Sequence, residues 1–150
     1  MKPHILETTT IIKRPLSDVF DFFGKAENLN LLTPPELDFT ITSPLPIQMK
    51  TGAIINYRIK LNGIPFTWRT EICEWNPPHQ FVDTQVKGPY VRWHHTHRFK
   101  EINGITEMTD RIEFLSPGWI LEPLINILFV ERKVKQIFAY REQQLNSIFA

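Results

Sequence analysis

Cysteine is almost absent from this chain of 150 residues, which contains only Cys73. A single cysteine cannot form an internal disulfide, and it cannot supply the thiolates of a multi-cysteine zinc module. Alternation along a strand places Cys73 on the opposite side from its apolar neighbour Ile72, so we do not expect a thiol nucleophile facing an apolar site.

An excess of charge of either sign is also missing. The chain has 17 Lys and Arg against 16 Asp and Glu, a formal net charge of +1. Such a balance produces no broad field that attracts nucleic acid or an anionic membrane. We therefore expect no nucleic-acid partner.

Long hydrophobic runs and the common cofactor motifs are missing as well. The longest apolar stretch, residues 119–130, is interrupted by Glu122, Pro123 and Asn126, and it is too short for stable membrane insertion. No signal peptide is evident, so the expected location is the cytoplasm. Because GxGxxG, P-loop and GxSxG patterns do not occur, we expect no cofactor.

Aromatic residues, in contrast, are plentiful. They make up 12% of the chain and include 11 Phe and four Trp. Large rings bury much area per residue, which suits a thick core or the wall of an apolar pocket. The length favours one domain over residues 1–150.

The order of predicted elements is a strand, two short helices, about six antiparallel strands and one long helix over about residues 119–148. Residues 4–14 are rich in β-branched side chains, Pro34-Pro35 ends the second short helix, and Asn62-Gly63 and Asn103-Gly104 mark tight hairpins. The sequence therefore predicts an α+β fold, in which a curved antiparallel sheet of about seven strands grips the C-terminal helix around an internal cavity.

Three segments carry a family resemblance: "FVDTQVKGPYVRWHHTHRF", "TEMTDRIEFLSPG" and "IFAYREQQL". With the element order, they make the whole chain resemble the START-like, or helix-grip, superfamily. That group includes proteins similar to the birch pollen allergen, polyketide cyclases/dehydrases and lipid-transfer domains. The local pattern is more similar still to a bacterial branch of ligand-binding or cyclase/dehydrase-like proteins. The resemblance implies a cavity for a small hydrophobic molecule but fixes no reaction.

Strand registers counted from the Asn-Gly turns divide the side chains between two faces. His97 pairs with Asp110 on one face, and His94 pairs with Glu113 on the other, charged face. The first face should line the cavity. Its expected members, the candidate ligand-binding residues, are Tyr57, Trp68, Ile72, Trp93, His95, His97, Phe99, Met108, Asp110 and Phe114.

The hairpin at Gly88-Pro89 leaves two registers open. A two-residue loop directs Val82, Thr84 and Val86 inward, whereas a three-residue loop directs Phe81, Asp83 and Gln85 inward. The second alternative makes the cavity much more polar.

The pair of His97 and Asp110 is the candidate catalytic site, if the protein is an enzyme. A carboxylate in an apolar cavity needs a partner, and the imidazole across the strand pair can provide one. The carboxylate raises the histidine pKa while burial lowers it, so His97 is a candidate acid or base. The alternatives are a pair that only stabilises the sheet and a polar spot that orients a ligand.

A metal site built from His95, His97 and Asp110 is a weaker hypothesis. Residues at i and i+2 of a strand present both imidazoles on one face, and the carboxylate adds a third ligand. No fourth ligand is evident, and the inward neighbours Trp93 and Phe99 are aromatic. We therefore expect no metal.

The last helix has an apolar face with one charge in it. Its members are Ile127, Val130, Val134, Ile137, Phe138, Arg141, Leu145 and Ile148. Arg141 either snorkels at the edge of the core or anchors an acidic group of the ligand, and the second alternative makes it the eleventh candidate ligand-binding residue. The first half of the helix is apolar all round, which predicts burial against loops, a pocket entrance or a dimer contact.

Three functions follow as hypotheses. The favoured one is binding, for carriage or sensing, of a small hydrophobic or amphiphilic molecule by a monomer or homodimer. The second is a cyclase, dehydratase or hydrolase that acts on a polyketide-like or aromatic substrate. The third is a protein-interaction module that uses the apolar start of the last helix.

Overall fold

A computed structural model describes residues 2–150 of the protein. Seven antiparallel strands form one sheet in the order β1-β7-β6-β5-β4-β3-β2. The strands are β1 (His4–Ile12), β2 (Thr40–Ile41), β3 (Ile54–Leu61), β4 (Ile64–Asn76), β5 (Gln80–Lys87), β6 (Arg92–Ile102) and β7 (Ile105–Leu115).

Helices precede and follow the run of long strands. Between β1 and β2 lie the α-helix α1 (Leu16–Phe23) and two 3-10 segments, Ala26–Leu32 and Pro35–Leu37. The C-terminal helical segment contains a 3-10 turn (Trp119–Leu121), α2 (Glu122–Ile125), a π-helical turn (Asn126–Val130) and α3 (Glu131–Ile148). The predicted α+β architecture is thus confirmed.

The hairpin registers also agree with the turn chemistry. Asn62 and Asn103 have φ angles of 52° and 53°, and Gly63 and Gly104 have 78° and 77°. Positive φ at both central positions is the geometry of the tight hairpin turn that Asn-Gly favours. Consequently His97 pairs with Asp110, and Tyr57 pairs with Trp68, as the counting predicts.

The concave side of the sheet is covered by α1 at one end and by α3 along its length. Val134, Phe138, Arg141 and Leu145 are the buried positions of α3. Leu145 belongs to a core cluster with α1, whereas Val134 and Phe138 pack with Ile112 and Phe114. Members of both clusters, among them Ile72 and Phe138, line a cavity next to α3.

The prediction that Ile127 lies on the buried helix face is wrong, because its side chain is 67% exposed. The buried residue Val134 follows the buried residue Asn126 by eight positions. A regular α-helix returns to the same face after about seven positions. The π-helical turn accommodates the extra residue. Upstream of this turn the buried side chains are polar, and Glu122 contacts His4 at 2.5 Å.

The apolar start of the last helix is therefore exposed, not buried against loops. Seven large side chains are each more than half exposed: Trp119, Ile120, Leu121, Leu124, Ile127, Leu128 and Phe129. In residues 2–150, no helix combines the length and the hydropathy that a membrane crossing requires.

Candidate functional site

A cavity of about 160 Å³ lies between the sheet, the 3-10 segments and α3. Aromatic and aliphatic side chains form most of its wall, with a small group of polar side chains on β5, β6 and α3. The lining includes Phe22, Phe23, Leu29, Leu32, Ile55, Tyr57, Ile59, Trp68, Ile72, Phe81, Asp83, Tyr90, Trp93, His95, His97, Phe138 and Arg141. A concave apolar space with a few convergent polar groups is the usual form of a small-molecule site.

Seven of the eleven candidate ligand-binding residues line this cavity: Tyr57, Trp68, Ile72, Trp93, His95, His97 and Arg141. Three others share their face of the sheet but lie in the packed core. The ring of Phe99 lies 5.2 Å from that of Phe20, and Met108 is completely buried in the same cluster. Phe114 packs beneath α3 with Phe138. These three corrections share one cause, since the helices already cover those parts of the sheet.

Asp110 lies behind the cavity wall, in a buried cluster in which both of its carboxylate oxygens have partners. Its Oδ1 lies 2.7 Å from Nε2 of His95, and its Oδ2 accepts a hydrogen bond of 3.2 Å from Nε of Arg141. Its contact with His97 is the longer one, at 3.3 Å from Nδ1. Asp110 therefore pairs more closely with His95 and Arg141 than with His97, which the sequence predicted as its partner.

His97 has a different closest partner, Asp83. The strand pairing places Phe81 opposite His97 and Asp83 opposite His95, the register of the three-residue loop. The Asp83 carboxylate thus faces inward, and its Oδ2 lies 2.6 Å from Nε2 of His97. Gln85 also faces inward, where its Nε2 donates to the carbonyl of Tyr90 at 2.7 Å. The more polar alternative is therefore the one that the structure adopts.

Ring packing holds the two inward imidazoles in place. The rings of His95 and His97 stack with centroids 3.6 Å apart, and the ring of Phe81 stacks on His97 at 3.9 Å. Phe138 presents its edge to His95 at 5.3 Å. Both imidazoles are nearly inaccessible to bulk water, whereas His94 is only partly buried and pairs with Glu113 on the outer face.

The surroundings shift the pKa values of the cluster in opposite directions. Burial by itself favours the neutral form of Asp110, but the charge of Arg141 and hydrogen bonds from His95 and His97 hold its pKa well below the ordinary range. Burial likewise opposes ionisation of Asp83, yet His97 and His95 lower the pKa of that carboxyl. Burial and the charge of His97 lower the pKa of His95 to about 4, against the opposing effect of Asp110.

The cavity wall includes two side-chain hydrogen-bond donors, and one of them is available to a ligand. Burial and the charge of Asp83 raise the pKa of Tyr57 well above its usual value, so its phenol keeps its proton. Trp68 is 6% exposed, and within residues 2–150 its buried Nε1 has no hydrogen-bond partner. A buried donor without a partner is costly, but Nε1 becomes accessible to a ligand only when the indole ring turns.

Asp83 is the polar residue that sequence reasoning left undecided, and the lining residues on α1 and the 3-10 segments were missed. The loop length after β5 decides the facing of Asp83, and glycine and proline in "KGPY" are compatible with either length. Phe22, Leu29 and Leu32 lie outside the strands, so face counting could not select them.

The chain has the helix-grip fold, as comparison with solved structures shows. The aromatase/cyclase Zhui from Streptomyces sp. R1128 superposes with a TM-score of 0.75 at 13% identity, over 96% of this chain and 92% of that one. Protein CV1439 from Chromobacterium violaceum gives 0.74 at 11% identity, over 98% of both chains. Ginseng major latex-like protein 151 from Panax ginseng gives 0.71 at 11% identity, over 100% and 99%.

Sequence comparison gives no closer relationship: no protein-family profile matches the chain, and no curated protein sequence matches it. The START-like resemblance of the sequence is confirmed at the level of the fold. Identities this low carry no activity across, so function has to be argued from the site.

Proposed function

We propose that the protein binds a small hydrophobic or amphiphilic molecule in the cavity between the sheet and α3. The observation that carries the proposal is the composition of the wall, which is aromatic and aliphatic except for the polar group around Asp83 and His97. Apolar surface favours the body of the ligand, and the few polar groups fix its orientation.

The cavity volume limits the size of the ligand. A cavity of about 150 Å³ accepts benzene, so a space of about 160 Å³ suits a molecule of one or two rings or a short acyl chain. A polar group on such a molecule can meet the phenol of Tyr57 or the Asp83–His97 pair. Carriage and sensing of the ligand both begin with this binding step.

Binding can be tested with 2-naphthol, an apolar probe with one hydroxyl group. In ¹H–¹⁵N spectra, the indole signals of the cavity residues Trp68 and Trp93 should shift with saturation in the micromolar range. The indole of Trp119 is 79% exposed on the other surface and should not shift. Shifts confined to Trp119, or no saturable shift of the cavity signals, would contradict the proposal.

A second candidate function is acid–base catalysis on an aromatic or polyketide-like substrate. The observation that favours it is the 2.6 Å contact of His97 with Asp83, since this pair lines the cavity whereas Asp110 does not. In a dehydration, Asp83 would withdraw from Nε2 of His97, and Nε2 would take the proton α to a carbonyl and return a proton to the departing hydroxyl group. Asp110 and Arg141, both 3.3 Å from Nδ1, would hold the imidazole, and Tyr57 would donate to the carbonyl oxygen.

The catalytic candidate predicts turnover of a simple β-hydroxyketone. With 4-hydroxy-4-phenylbutan-2-one, the conjugated ketone should form in the presence of the protein and be detected by its ultraviolet absorbance. Replacing the base should lower the rate about 10²-fold in His97→Gln. The variant His94→Gln, altered on the outer face, should keep the full rate. Equal rates in both variants would eliminate this candidate.

A further inference from the structure

Three potential metal ligands converge on the cavity from two adjacent strands. They are Oδ2 of Asp83, a nitrogen of His95 and a nitrogen of His97, and the donor atoms all lie within 4.8 Å of one another. His95 and His97 share a face because they are two positions apart on β6, and Asp83 lies opposite His95 on β5. The arrangement follows from the strand register and does not depend on a loop.

We propose that Asp83, His95 and His97 form a binding site for one divalent first-row transition ion at the wall of the cavity. Two imidazoles and one carboxylate on one side of an ion are a known donor set for zinc and for iron(II). Three protein ligands leave positions open, and here the open side faces the apolar cavity. A ligand in the cavity would therefore have access to the ion.

The hydrogen bonds around His95 favour coordination. Its Nε2 lies 2.7 Å from Oδ1 of Asp110, a carboxylate that also accepts from Arg141 at 3.2 Å. A neutral ring that donates from Nε2 to this carboxylate has no proton on Nδ1, and Nδ1 lies 3.8 Å from Oδ2 of Asp83. Two acceptors that face each other beyond hydrogen-bonding distance gain from a cation between them.

His97 has the complementary arrangement. Its Nε2 is the atom nearest Asp83, and its Nδ1 lies 3.3 Å from both Oδ1 of Asp110 and Nη2 of Arg141. When Nε2 coordinates an ion, the ring proton on Nδ1 is donated to Asp110, and the guanidinium, which only donates, then makes no hydrogen bond to Nδ1. Asp110 thus orients both imidazoles from behind, the role that carboxylates commonly have next to metal-bound histidines.

The ion pairs of the cluster leave one carboxylate for a metal ion. Asp83 and Asp110 both approach the imidazoles, and the guanidinium of Arg141 contacts Asp110 at 3.2 Å. A divalent ion held by Asp83, His95 and His97 would give the second carboxylate a cationic partner as well, which a buried carboxylate needs.

Movements of Asp83 and of one imidazole complete the site. Metal–ligand bonds of about 2.0–2.2 Å place neighbouring ligand atoms about 3 Å apart, whereas Oδ2 of Asp83 and Nε2 of His97 are 2.6 Å apart. Asp83 is the least buried of the three, with 17% of its side chain exposed against 7% and 3% for the histidines, and therefore has the most room to withdraw. Because a metal–nitrogen bond lies in the plane of the imidazole, and the two rings are stacked at an interplanar angle of 26°, the His95 ring must also turn toward the ion while Phe81 holds the His97 ring.

The experiment is a titration with Co²⁺ of the full chain, purified without a histidine tag and freed of metal by chelation. One equivalent of Co²⁺ should bind and give visible d–d absorption bands, and Zn²⁺ should displace it. Affinity should fall at least tenfold in His95→Gln and in Asp83→Asn, and about 10- to 100-fold in Asp110→Asn, through loss of imidazole orientation. The matched variant His94→Gln should bind like the wild type.

The proposal is overturned if the wild type shows no saturable absorption at millimolar Co²⁺. It is also overturned if His94→Gln loses as much affinity as His95→Gln, or if binding survives both Asp83→Asn and His95→Gln. Should His95→Gln fail to fold, Asp83→Asn carries the test, since it keeps the size of the side chain. The 2-naphthol titration of the metal-free protein separates this proposal from ligand binding itself.

Discussion

Oδ2 of Asp83 lies 2.6 Å from Nε2 of His97, although the strand pairing places Asp83 opposite His95. The carboxylate therefore reaches diagonally across the sheet to the neighbouring imidazole, and Asp110 approaches both rings from the other side. Two carboxylates, two imidazoles and the Arg141 guanidinium thus form one buried cluster, and its Asp83–His97 side borders an apolar cavity.

Arg141 should be essential for stability because it is the cation that compensates buried Asp110. Removing one partner of a buried pair leaves an unpaired charge and costs about 3–5 kcal/mol. We expect Arg141→Met to lower the free energy of unfolding by about this amount in urea at pH 7. Arg132→Met on the exposed side of α3 is the matched control and should change it by less than about 0.5 kcal/mol. Similar losses in the two variants would contradict the role assigned to Arg141.

The rotation of the last helix at the π-helical turn can be tested by replacing one exposed and one buried side chain with smaller ones. Phe129 is 66% exposed, so Phe129→Ser should change the free energy of unfolding by less than about 0.5 kcal/mol. Val134 is completely buried, and Val134→Ala should cost about 2 kcal/mol. Chemical denaturation measures both. A larger loss for Phe129→Ser than for Val134→Ala would show that the helix is rotated differently.

The buried phenol of Tyr90 should make the folded protein less stable at alkaline pH. Burial raises its pKa to about 12, so the folded protein keeps the proton that the unfolded chain loses near its ordinary value of 10.0. Stability should therefore fall as the pH rises from about 10 to 12, by up to about 2 kcal/mol from this residue. In Tyr90→Phe the decline over this range should be shallower, as measured by urea denaturation at each pH. An unchanged slope would contradict the burial of the phenol.

Strand pairing was predictable from the sequence wherever an Asn-Gly turn fixed it. The pairs His97–Asp110 and Tyr57–Trp68 both follow from a turn of known length and the two-residue alternation of a strand. At Gly88-Pro89 two loop lengths were equally compatible, so the facing of Asp83 depended on tertiary packing. The sequence therefore predicted the face on which His97 lies but not its closest hydrogen-bond partner.

The strand pattern did not predict which residues of the inner face line the cavity, nor which side of the start of the last helix is buried. Phe99 and Phe114 lie on the predicted face of the sheet. Because α1 and α3 pack on them, they belong to the core and do not line the cavity. Ile127 lies on a different face from the predicted one because the π-helical turn contains one residue more than the 3.6-residue period of an α-helix assumes. Both outcomes depend on contacts between elements that are distant in the sequence.

Calorimetric titration of a cavity-filled variant with 2-naphthol tests the ligand-binding proposal most directly. Ile59 lines the cavity and is 5% exposed, so Ile59→Trp should occupy the space with the added ring. Ile64, in the same hairpin, is 59% exposed, which makes Ile64→Trp the matched control. Circular dichroism would first establish that both variants are folded. The account predicts micromolar binding by the wild type and by Ile64→Trp, and at least a tenfold loss of affinity in folded Ile59→Trp. Equal affinity in all three proteins would show that the probe binds elsewhere and would contradict the account.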